Sequence, residues 1–501
     1  MVLWKVVDKM RIGFDNDKYL KLQSENIKKR IKKFDKLYLE FGGKLLDDYH
    51  AVRCLPGFEY DSKLQMLEEL KDDLEIIICI NANDIERHKI RADYGITYDT
   101  EVLRLIQNIK AYNLDVNSVV ITLYKGQKSA DTFIKKLKDK KIKTYIHTPT
   151  KGYPTDVDTI VSDEGYGANP YIKTTKKLIV VTAPGPCSGK LATCLSQLYH
   201  EFKNGINAGY AKFETFPVHN IPLKHPVNIA YEAATADLKD KNMIDYFHLE
   251  KYGITSVNYN RDLEVFPVLK TILNKITKKD IYHSPTDMGV NTIGDCITNS
   301  KAVKEASEQE IIRRYYNSLC DYKKGLVDFD VTERIKLLMN ELSISEEDRD
   351  VIDVALKKKE AVNKHVVSLK LPNGKIITGK ETELLSPASS VILNAIKELT
   401  NIPDDVYLIS PSILEPILKY KNSALNNKYK YMLDLNEVLI ALNICSVTNP
   451  IIEKSLDKLK KLENCEAHST YILSNNDLNV LKNLKINITC EPKFYSEQLY
   501  Y

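Results

Sequence analysis

Several features of specialised proteins are missing from this sequence. No apolar run approaches the roughly 20 residues that span a bilayer. The nine cysteines are scattered and form no C-x-x-C pair, which argues against a disulfide framework and a structural zinc site. The 72 basic and 68 acidic residues nearly balance, so the chain has no general attraction for nucleic acid or anionic lipid. These absences predict a soluble protein with neither a nucleic-acid nor a membrane partner.

The first residues, MVLWKVVDKMRIGFD, also lack the apolar core of a secretory signal. Lys5, Asp8 and Lys9 interrupt a very short apolar patch. Together with the scattered cysteines, this start predicts a cytoplasmic protein in a reducing compartment. Nothing in the composition decides the oligomeric state, and a homo-oligomer stays open.

What the sequence has is a series of strand-like apolar runs. LYLEF, EIIICI, SVVITLY, KTYIHT and LIVVTA are almost continuously apolar, as strands are when both faces of their sheet are covered. Helix-like segments lie between them, and AGYAKFETF and VNIAYEAAT are predicted as two further strands. This alternation predicts an α/β fold with a large doubly wound, mostly parallel sheet.

The predicted large domain covers residues 1–325 and the remainder covers 326–501. Residues 148–175, rich in Gly, Pro and Asp, are either a lid or ligand-binding loop where two halves of the first domain meet, or a plain linker. The second part begins with a helical bridge and continues as a smaller C-terminal α/β domain. In that domain HVVSLKLPNGKIITG predicts a hairpin, with Asn373 and Gly374 supplying positive φ angles.

The stretch IVVTAPGPCSGK carries the main functional hypothesis. A phosphate loop needs a strand, glycines that turn backbone N–H groups inward, a lysine and a helix N-terminus. Gly185, Ser188, Gly189 and Lys190 fit this P-loop-like pattern. The consensus is not met, because Pro184 replaces its first glycine and Leu191 its magnesium-binding hydroxyl.

Thr193, three residues beyond Lys190, is a candidate replacement for the missing hydroxyl. The alternative is a strand-to-helix turn whose glycines only permit close packing. We predict a bound phosphate, since amides and a lysine supply most of the anion binding in such loops.

Other groups needed for phosphate chemistry are proposed from their positions. Glu214 and Glu232 close the two added strands and are candidate magnesium ligands. Lys44, His50 and His219 are candidate catalytic groups facing a second substrate. A short helix after Gly42 is expected to align Lys44 with His50, although a solvated helix face explains that spacing equally well.

Four more residues are candidate cofactor contacts. Asn81 and Asn83 follow the second apolar run, and Thr286 and Asp287 lie in a loop broken by Pro and Gly. Turn chemistry alone would also explain these residue types. Cys187, inside the Gly-Lys loop, is either a reactive thiol near a helix N-terminus or a small filler of the loop.

The strings LYLEFGGKLLDDYHAVRCLPGF, VVTAPGPCSGKLATCLSQLYHE and SPTDMGVN resemble a bacterial family known as uncharacterised protein family 0371. The resemblance extends over nearly the whole chain and implies a large N-terminal and a smaller C-terminal α/β part. It implies no activity. Some members are labelled ATP-dependent peptidases, but this sequence shows neither a Gly-x-Ser-x-Gly elbow nor a zinc-protease helix.

The favoured hypothesis is an enzyme that binds a nucleotide, ATP or GTP with magnesium, or another phosphorylated small molecule, and transfers a phosphoryl or other group. A non-catalytic sensor of a phosphorylated ligand needs the same loop but no acid-base groups. A metal-dependent hydrolase built on the histidines is a third hypothesis.

Overall fold

The structure is a computed structural model that describes residues 12–91, 95–424 and 432–496. The chain divides into two compact units, one ending at Ser307 and the other beginning at Glu308. The division falls inside the helix Ser300–Lys323. The domain limits expected from the sequence, 1–325 and 326–501, stay a prediction. Among the described residues no helix is both long and apolar enough to cross a bilayer.

The strands are numbered in chain order through the described residues. They are β1 Lys36–Phe41, β2 Leu74–Asn81, β3 Ile90–Arg91, β4 Ile96–Thr97, β5 Val116–Thr122, β6 Thr144–Ile146, β7 Leu178–Thr182, β8 Ala208–Phe213, β9 Asn242–Ile244, β10 Val257–Tyr259, β11 Gly289–Val290, β12 Val366–Lys370, β13 Ile376–Lys380, β14 Glu466–Ser469 and β15 Asn487–Cys490.

The α-helices of the first unit, including the one that runs into the second, are Asn16–Ile31, Tyr49–Cys54, Ser62–Glu68, Ala82–Glu86, Tyr98–Ala111, Lys128–Asp139, Val157–Ile160, Lys190–Lys203, Pro226–Ala234, Tyr246–Tyr252, Asn260–Thr277, Pro285–Met288 and Ser300–Lys323. Those of the second unit are Phe329–Glu341, Asp350–Val362, Pro387–Thr400, Pro411–Ala424, Leu435–Ser446, Pro450–Leu456 and Asn475–Asn483.

The first unit is built on a parallel sheet whose described strands lie in the order β11, β8, β1, β7, β2, β5, β6. From β2 the chain moves outward through β5 to β6. From β7 it moves the opposite way, past β1, to β8 and β11. All eight residues of β2 are buried, as expected for a strand covered on both faces. The doubly wound parallel sheet predicted from the sequence is therefore confirmed.

One face of this sheet packs against two long helices, Lys190–Lys203 and Asn260–Thr277. Tyr38, Val181 and Tyr210 from three neighbouring strands belong to the same apolar core as residues of both helices. The two helices therefore lie side by side over β1, β7 and β8, the strands whose carboxyl ends matter below.

One of the two added strands was predicted wrongly. AGYAKF forms β8, but VNIAYEAAT forms most of the helix Pro226–Ala234. The His225 imidazole accepts a hydrogen bond from the Val227 N–H at 3.3 Å, and Pro226 holds the first helical position. Seven of the nine helical residues are buried, so this short helix has no polar face and its apolar pattern resembles that of a buried strand.

The predicted helix carrying Lys44 is also wrong at its start. The helix begins only at Tyr49, where the Asp48 carboxylate accepts a hydrogen bond from the Ala51 N–H at 3.2 Å. Lys44 therefore lies in the loop after β1, and His50 alone of the two lies on the helix. A side-chain cap fixes the helix start here, which spacing alone did not reveal.

The segment 148–175 is partly anchored. Gln197 exchanges two hydrogen bonds with the backbone of Ile172, both at 2.9 Å, and the Ser196 hydroxyl donates to the Tyr166 carbonyl at 3.0 Å. These bonds fix residues 166–172 to the helix Lys190–Lys203. Residues 153–156 are exposed. A role of this tip in covering a ligand stays a prediction.

In the second unit, β12 pairs antiparallel with β13 and with β14, and β14 pairs parallel with β15. The predicted hairpin is confirmed, with one correction to its turn. The positive φ, +86°, belongs to Gly374. The Asn373 side chain instead accepts a hydrogen bond from the Lys375 N–H at 3.0 Å, as in an Asx turn. The smaller C-terminal α/β fold is confirmed.

Candidate functional site

The parallel sheet has a topological switch point beside β7. The chain leaves β7 towards β8 and leaves β2 in the opposite direction, towards β5. In open parallel sheets, ligands bind beyond the carboxyl ends of the strands at such a position, where the loops after the two strands part. The Gly-Lys loop, residues 183–189, follows β7 at this position.

Two glycines of the loop are required by its conformation. Gly189 has a φ of +80°, and a Cβ atom there would lie 2.8 Å from the Cβ of Thr122. A Cβ on Gly185 would lie 2.3 Å from the Tyr98 hydroxyl oxygen. Side chains at the end of β5 and at the start of the helix Tyr98–Ala111 thus pack directly against the backbone, and a non-glycine residue would displace it.

The carbonyl groups of the loop are held by three side chains. The Ser188 hydroxyl donates to the Gly185 carbonyl at 2.7 Å. The Asn81 amide donates to the Cys187 carbonyl at 3.3 Å, and the Thr122 hydroxyl donates to the Ser188 carbonyl at 2.8 Å. The side chains of Ser188 and Asn81 therefore stabilise the conformation of the loop through hydrogen bonds to its carbonyl groups.

The start of the following helix is left without a cap. Gly189 occupies the N-cap position and has no side chain to offer. In residues 12–91, 95–424 and 432–496, no carbonyl or side chain accepts a hydrogen bond from the N–H groups of Lys190, Leu191 and Ala192. Lys190 and Leu191 are partly exposed and Ala192 is exposed. Free N–H groups at a helix start, together with the helix dipole, are able to attract an anion.

Thr193 does not belong to this surface. It is fully buried, and its hydroxyl accepts a hydrogen bond from the Cys79 thiol at 3.4 Å. Burial raises the pKa of Cys79 to about 12, so the thiol is the donor of that bond near neutral pH. We therefore leave Thr193 out of the proposed site. Its position one turn into the helix, on the face against the sheet, explains the burial.

Asn83 and the pair Thr286 and Asp287 are also engaged within the protein. The Asn83 side chain accepts from the Gln127 amide at 2.8 Å. The Thr286 hydroxyl donates to Asp245 at 2.6 Å, and Asp287 accepts from the His283 N–H at 2.8 Å. Turn and cap chemistry accounts for these contacts, and their predicted cofactor role stays untested.

A cluster of charged groups lies across the ends of β1 and β8. The Lys212 ammonium pairs with Glu214 at 2.5 Å and also with Asp262 of the neighbouring helix. Lys212 lies beside Glu40 in the sheet register, and Glu40 lies beside Val181 of β7. The Glu40 carboxylate accepts from the Tyr210 hydroxyl at 2.8 Å.

Electrostatics fix the charge states of this cluster. Burial alone would lower the pKa of Lys212, but the carboxylates of Asp262 and Glu214 outweigh it and raise that pKa. Burial alone would raise the pKa of Glu214, but Lys212 and His219 outweigh it and lower that pKa. Glu214 is thus a charged, internally paired carboxylate.

His219 completes this arrangement. Its Nε2 lies 3.5 Å from the Glu214 carboxylate and accepts or donates no hydrogen bond of good geometry among the described residues. The imidazole packs against Gly289, where a Cβ would lie 2.5 Å from the ring. The carboxylate therefore faces a histidine that is more than nine-tenths buried.

The remaining predicted residues have separate positions. His50 is buried between the rings of Phe216 and Tyr231, at centroid distances of 4.9 and 5.4 Å. Glu232 lies on the helix Pro226–Ala234 and accepts from the Asn242 N–H at 3.1 Å, so the expectation that it closes a strand is wrong. Lys44 is exposed in the loop after β1.

No metal centre is evident in the described ranges, where no group of three or more His, Cys, Asp or Glu side chains is arranged to hold an ion. The histidine-based metal hydrolase therefore has no cluster to support it there. Glu214 is occupied by Lys212 and His219.

Sequence reasoning missed two residues that support the loop from other elements. Thr122, at the end of β5, lies against Gly189, and Tyr98, at the start of the helix Tyr98–Ala111, lies against Gly185. Asp262 was missed as well: it pairs with Lys212, while its neighbour Arg261 pairs with Asp240 at 2.6 Å. Only Thr122 gave a signal, as a polar residue ending a buried strand next to β2.

Comparison with known proteins finds two family models that together span most of the chain. The N-terminal model of the domain of unknown function DUF1846 matches residues 12–343, and its C-terminal model matches residues 347–500. A UPF0371 protein of Clostridium botulinum (strain Langeland / NCTC 10281 / Type F) is 58% identical over 501 residues, covering 98% of this chain and 100% of that protein. A UPF0371 protein of Clostridium tetani (strain Massachusetts / E88) is 57% identical over the same shares.

Proposed function

The chain belongs to the DUF1846 family, and we propose that it binds the phosphate of a nucleotide or of another phosphorylated small molecule at the start of the helix Lys190–Lys203. The resemblance to uncharacterised protein family 0371 is confirmed by relatives of that name. Because the matching models describe a domain of unknown function, the proposal depends on the site alone.

The observation that carries the proposal is the uncapped helix start at the switch point of the sheet. The carbonyl groups of Gly185, Cys187 and Ser188 accept hydrogen bonds from side chains of the protein. The first N–H groups of the helix, in contrast, have no acceptor among the described residues. A phosphate would accept from these N–H groups and pair with the Lys190 ammonium. Magnesium, if required, would be carried on the phosphates of a nucleotide.

A transfer reaction is the second part of the proposal. Glu214 follows β8, two strands from β7, which places it about 10 Å from the Gly-Lys loop along the same sheet edge. With its carboxylate held by Lys212, Glu214 can orient His219 as a proton acceptor. The hydroxyl of a second substrate would lose its proton to His219 as the phosphoryl or other activated group moves to that oxygen. Lys44, on the loop of the intervening strand, faces the same edge.

Thermal stabilisation by ligands tests the phosphate site. We expect ATP or GTP, with and without magnesium, to raise the melting temperature of the protein. Lys190→Ala should weaken binding roughly 10- to 100-fold, the value of one charge-assisted contact. Lys135→Ala, which removes an exposed charge from another helix of the same unit, is the control. Equal stabilisation of wild type and Lys190→Ala would refute the assignment.

Thiol labelling gives an independent readout. Cys187 is exposed in the loop, whereas Cys54, Cys79 and Cys194 are buried. A bound ligand should slow the reaction of Cys187 with a thiol reagent, and Cys187→Ser should remove the protected fraction of the signal. Labelling that no phosphate compound slows would count against a ligand over this loop.

Turnover separates an enzyme from a sensor. His219→Asn and Glu214→Gln should abolish product formation while leaving nucleotide affinity within about threefold, because neither residue contacts the phosphates in the proposed arrangement. A protein that binds nucleotide but converts none with any acceptor would be a sensor of a phosphorylated ligand.

A further inference from the structure

A cavity of about 130 Å³ lies between the helices Lys190–Lys203 and Asn260–Thr277. Leu191 and Leu195 line it from the first helix, and Val265 and Leu269 line it from the second. Tyr153, at the exposed tip of the 148–175 segment, lies at its mouth. These residues come from three segments that the sequence separates by many residues, so only the fold creates this cavity.

The lining of the cavity is almost entirely apolar. The exception is Glu264, an exposed carboxylate on the second helix. A cavity of this size and character has room for one ring or a compact apolar group. Tyr153 is 60% exposed and Val265 is 41% exposed, so apolar surface stays open to solvent at the mouth.

The position of the cavity links it to the phosphate site. Leu191 directly follows Lys190 in the helix, and Leu195 lies four residues further, about 6 Å along the helix axis. Because Leu191 lines the cavity, a ligand with its phosphate at the helix start has the cavity within reach of the next group in its chain.

We propose that this cavity holds the base of a nucleoside phosphate whose phosphate binds at Lys190; the inference rests on the proposed function. The Tyr153 ring can stack on a base at the mouth of the cavity. The Glu264 carboxylate can accept a hydrogen bond from an amino group of the base. A purely aliphatic group would use neither of these features. The occupant is therefore an amino-bearing base, as in adenine, guanine or cytosine nucleotides.

A series of probes separates the two parts of the ligand. Inorganic phosphate, ribose 5-phosphate, monobutyl phosphate, UMP, AMP, GMP and CMP are titrated against the full-length protein by calorimetry. We expect the best of AMP, GMP and CMP to bind at least tenfold more tightly than ribose 5-phosphate, and more tightly than UMP, which carries no amino group. Monobutyl phosphate binding more tightly than every nucleotide would overturn the proposal.

Filling the cavity is the test by mutation. Val265→Trp places a large side chain at a partly exposed lining position and should abolish the preference for nucleotides over ribose 5-phosphate while leaving ribose 5-phosphate affinity unchanged. Leu249→Trp, at a 42% exposed position on the helix Tyr246–Tyr252, is the matched control and should keep the preference. Tyr153→Ala, an exposed change that does not depend on core packing, should reduce the preference about threefold or more.

The outcomes distinguish this inference from the proposed function. If ribose 5-phosphate binds and the base adds nothing, or if Val265→Trp keeps the full preference, the cavity assignment is wrong and the phosphate site stands. If none of the phosphate compounds binds, both proposals are overturned.

Discussion

Two helix starts, one in each unit, are built in opposite ways. In the first unit, the helix Lys190–Lys203 follows Gly189 and has no side-chain cap. In the second unit, the Ser386 hydroxyl accepts from the Ser389 N–H at 3.2 Å at the start of Pro387–Thr400. Where a side chain of the protein supplies the acceptor, an N–H group in the first turn of the helix is already hydrogen-bonded. Where glycine replaces the cap, the acceptor comes from water or from a ligand.

Two further helix starts in the second unit follow the same rule. Asp434 accepts from the Glu437 N–H at 3.1 Å, and Ser474 accepts from the Asp477 N–H at 3.2 Å. The Asp477 carboxylate in turn accepts from the Leu435 N–H at 2.7 Å. The carboxylate at the start of the helix Leu435–Ser446 thus belongs to the protein itself, and its role there is structural.

The largest expected effect comes from a methyl group at Gly189. Gly189→Ala forces alanine into a left-handed conformation and against Thr122 at 2.8 Å. These two effects together should lower the free energy of unfolding by about 2–5 kcal/mol. Denaturant unfolding of the full-length protein measures this loss.

Gly205 provides the control at the other end of the same helix. Its φ is +78°, but no atom lies within 4 Å of the Cβ position. Gly205→Ala should therefore lower the free energy of unfolding by only about 1–2 kcal/mol, the backbone term alone. Equal losses for the two substitutions would show that Thr122 does not constrain the loop.

The Asp477 carboxyl, which accepts from the Leu435 N–H, makes the stability of the protein depend on pH. Burial raises the pKa of Asp477 from its usual value of 3.8 to about 6, although the Leu435 N–H opposes the shift. The folded carboxyl therefore takes up its proton at a higher pH than the unfolded one. Its contribution to stability, about 3 kcal/mol, is fully present below pH 3.8 and is lost as the pH rises through about 6.

Asp477→Asn removes the titration but keeps an acceptor for the Leu435 N–H. The difference in unfolding free energy between wild type and this variant, measured from pH 4 to pH 8, should fall as the pH rises through about 6. A difference that does not change with pH would mean that Asp477 titrates near its usual value.

The smallest effect concerns the Ser386 cap. Ser386→Ala leaves the Ser389 N–H without its acceptor and should lower the free energy of unfolding by about 1 kcal/mol, whereas Ser386→Gly should cost only a few tenths. Chemical denaturation of both variants measures the difference. An unchanged free energy of unfolding in Ser386→Ala would show that water replaces this cap without loss of stability. It would weaken the contrast between the starts of the helices Lys190–Lys203 and Pro387–Thr400.

The parallel sheet was predictable because buried strands carry a local signal. EIIICI and LIVVTA are almost continuously apolar, and they form the central strands β2 and β7, in which every residue is buried. VNIAYEAAT carried a similar signal but formed a helix, because Pro226 and the His225 cap decide its backbone. A short apolar run in the sequence indicates a buried segment, whereas the residues at its ends decide whether that segment is a strand or a helix.

The candidate site was predictable only in part. The Gly-Lys loop was recognisable, since a strand, glycines, a lysine and a helix follow one another in the chain. The assignment of Glu214 to magnesium did not foresee that Lys212, near the end of β8, and His219, five residues beyond Glu214, lie against the carboxylate. Which side chains pair where a strand gives way to a loop leaves no periodic trace in the sequence.

The sequence by itself determined the doubly wound sheet and the position of a glycine-rich strand-to-helix turn, because both depend on residues adjacent in the chain. Tertiary structure alone decided that Thr122 and Tyr98 close on that turn, that Thr193 faces the core and that two helices enclose an apolar cavity beside Lys190. The reason is physical: local conformation follows from neighbouring residues, but a side chain's partners are set by which strands the fold brings together.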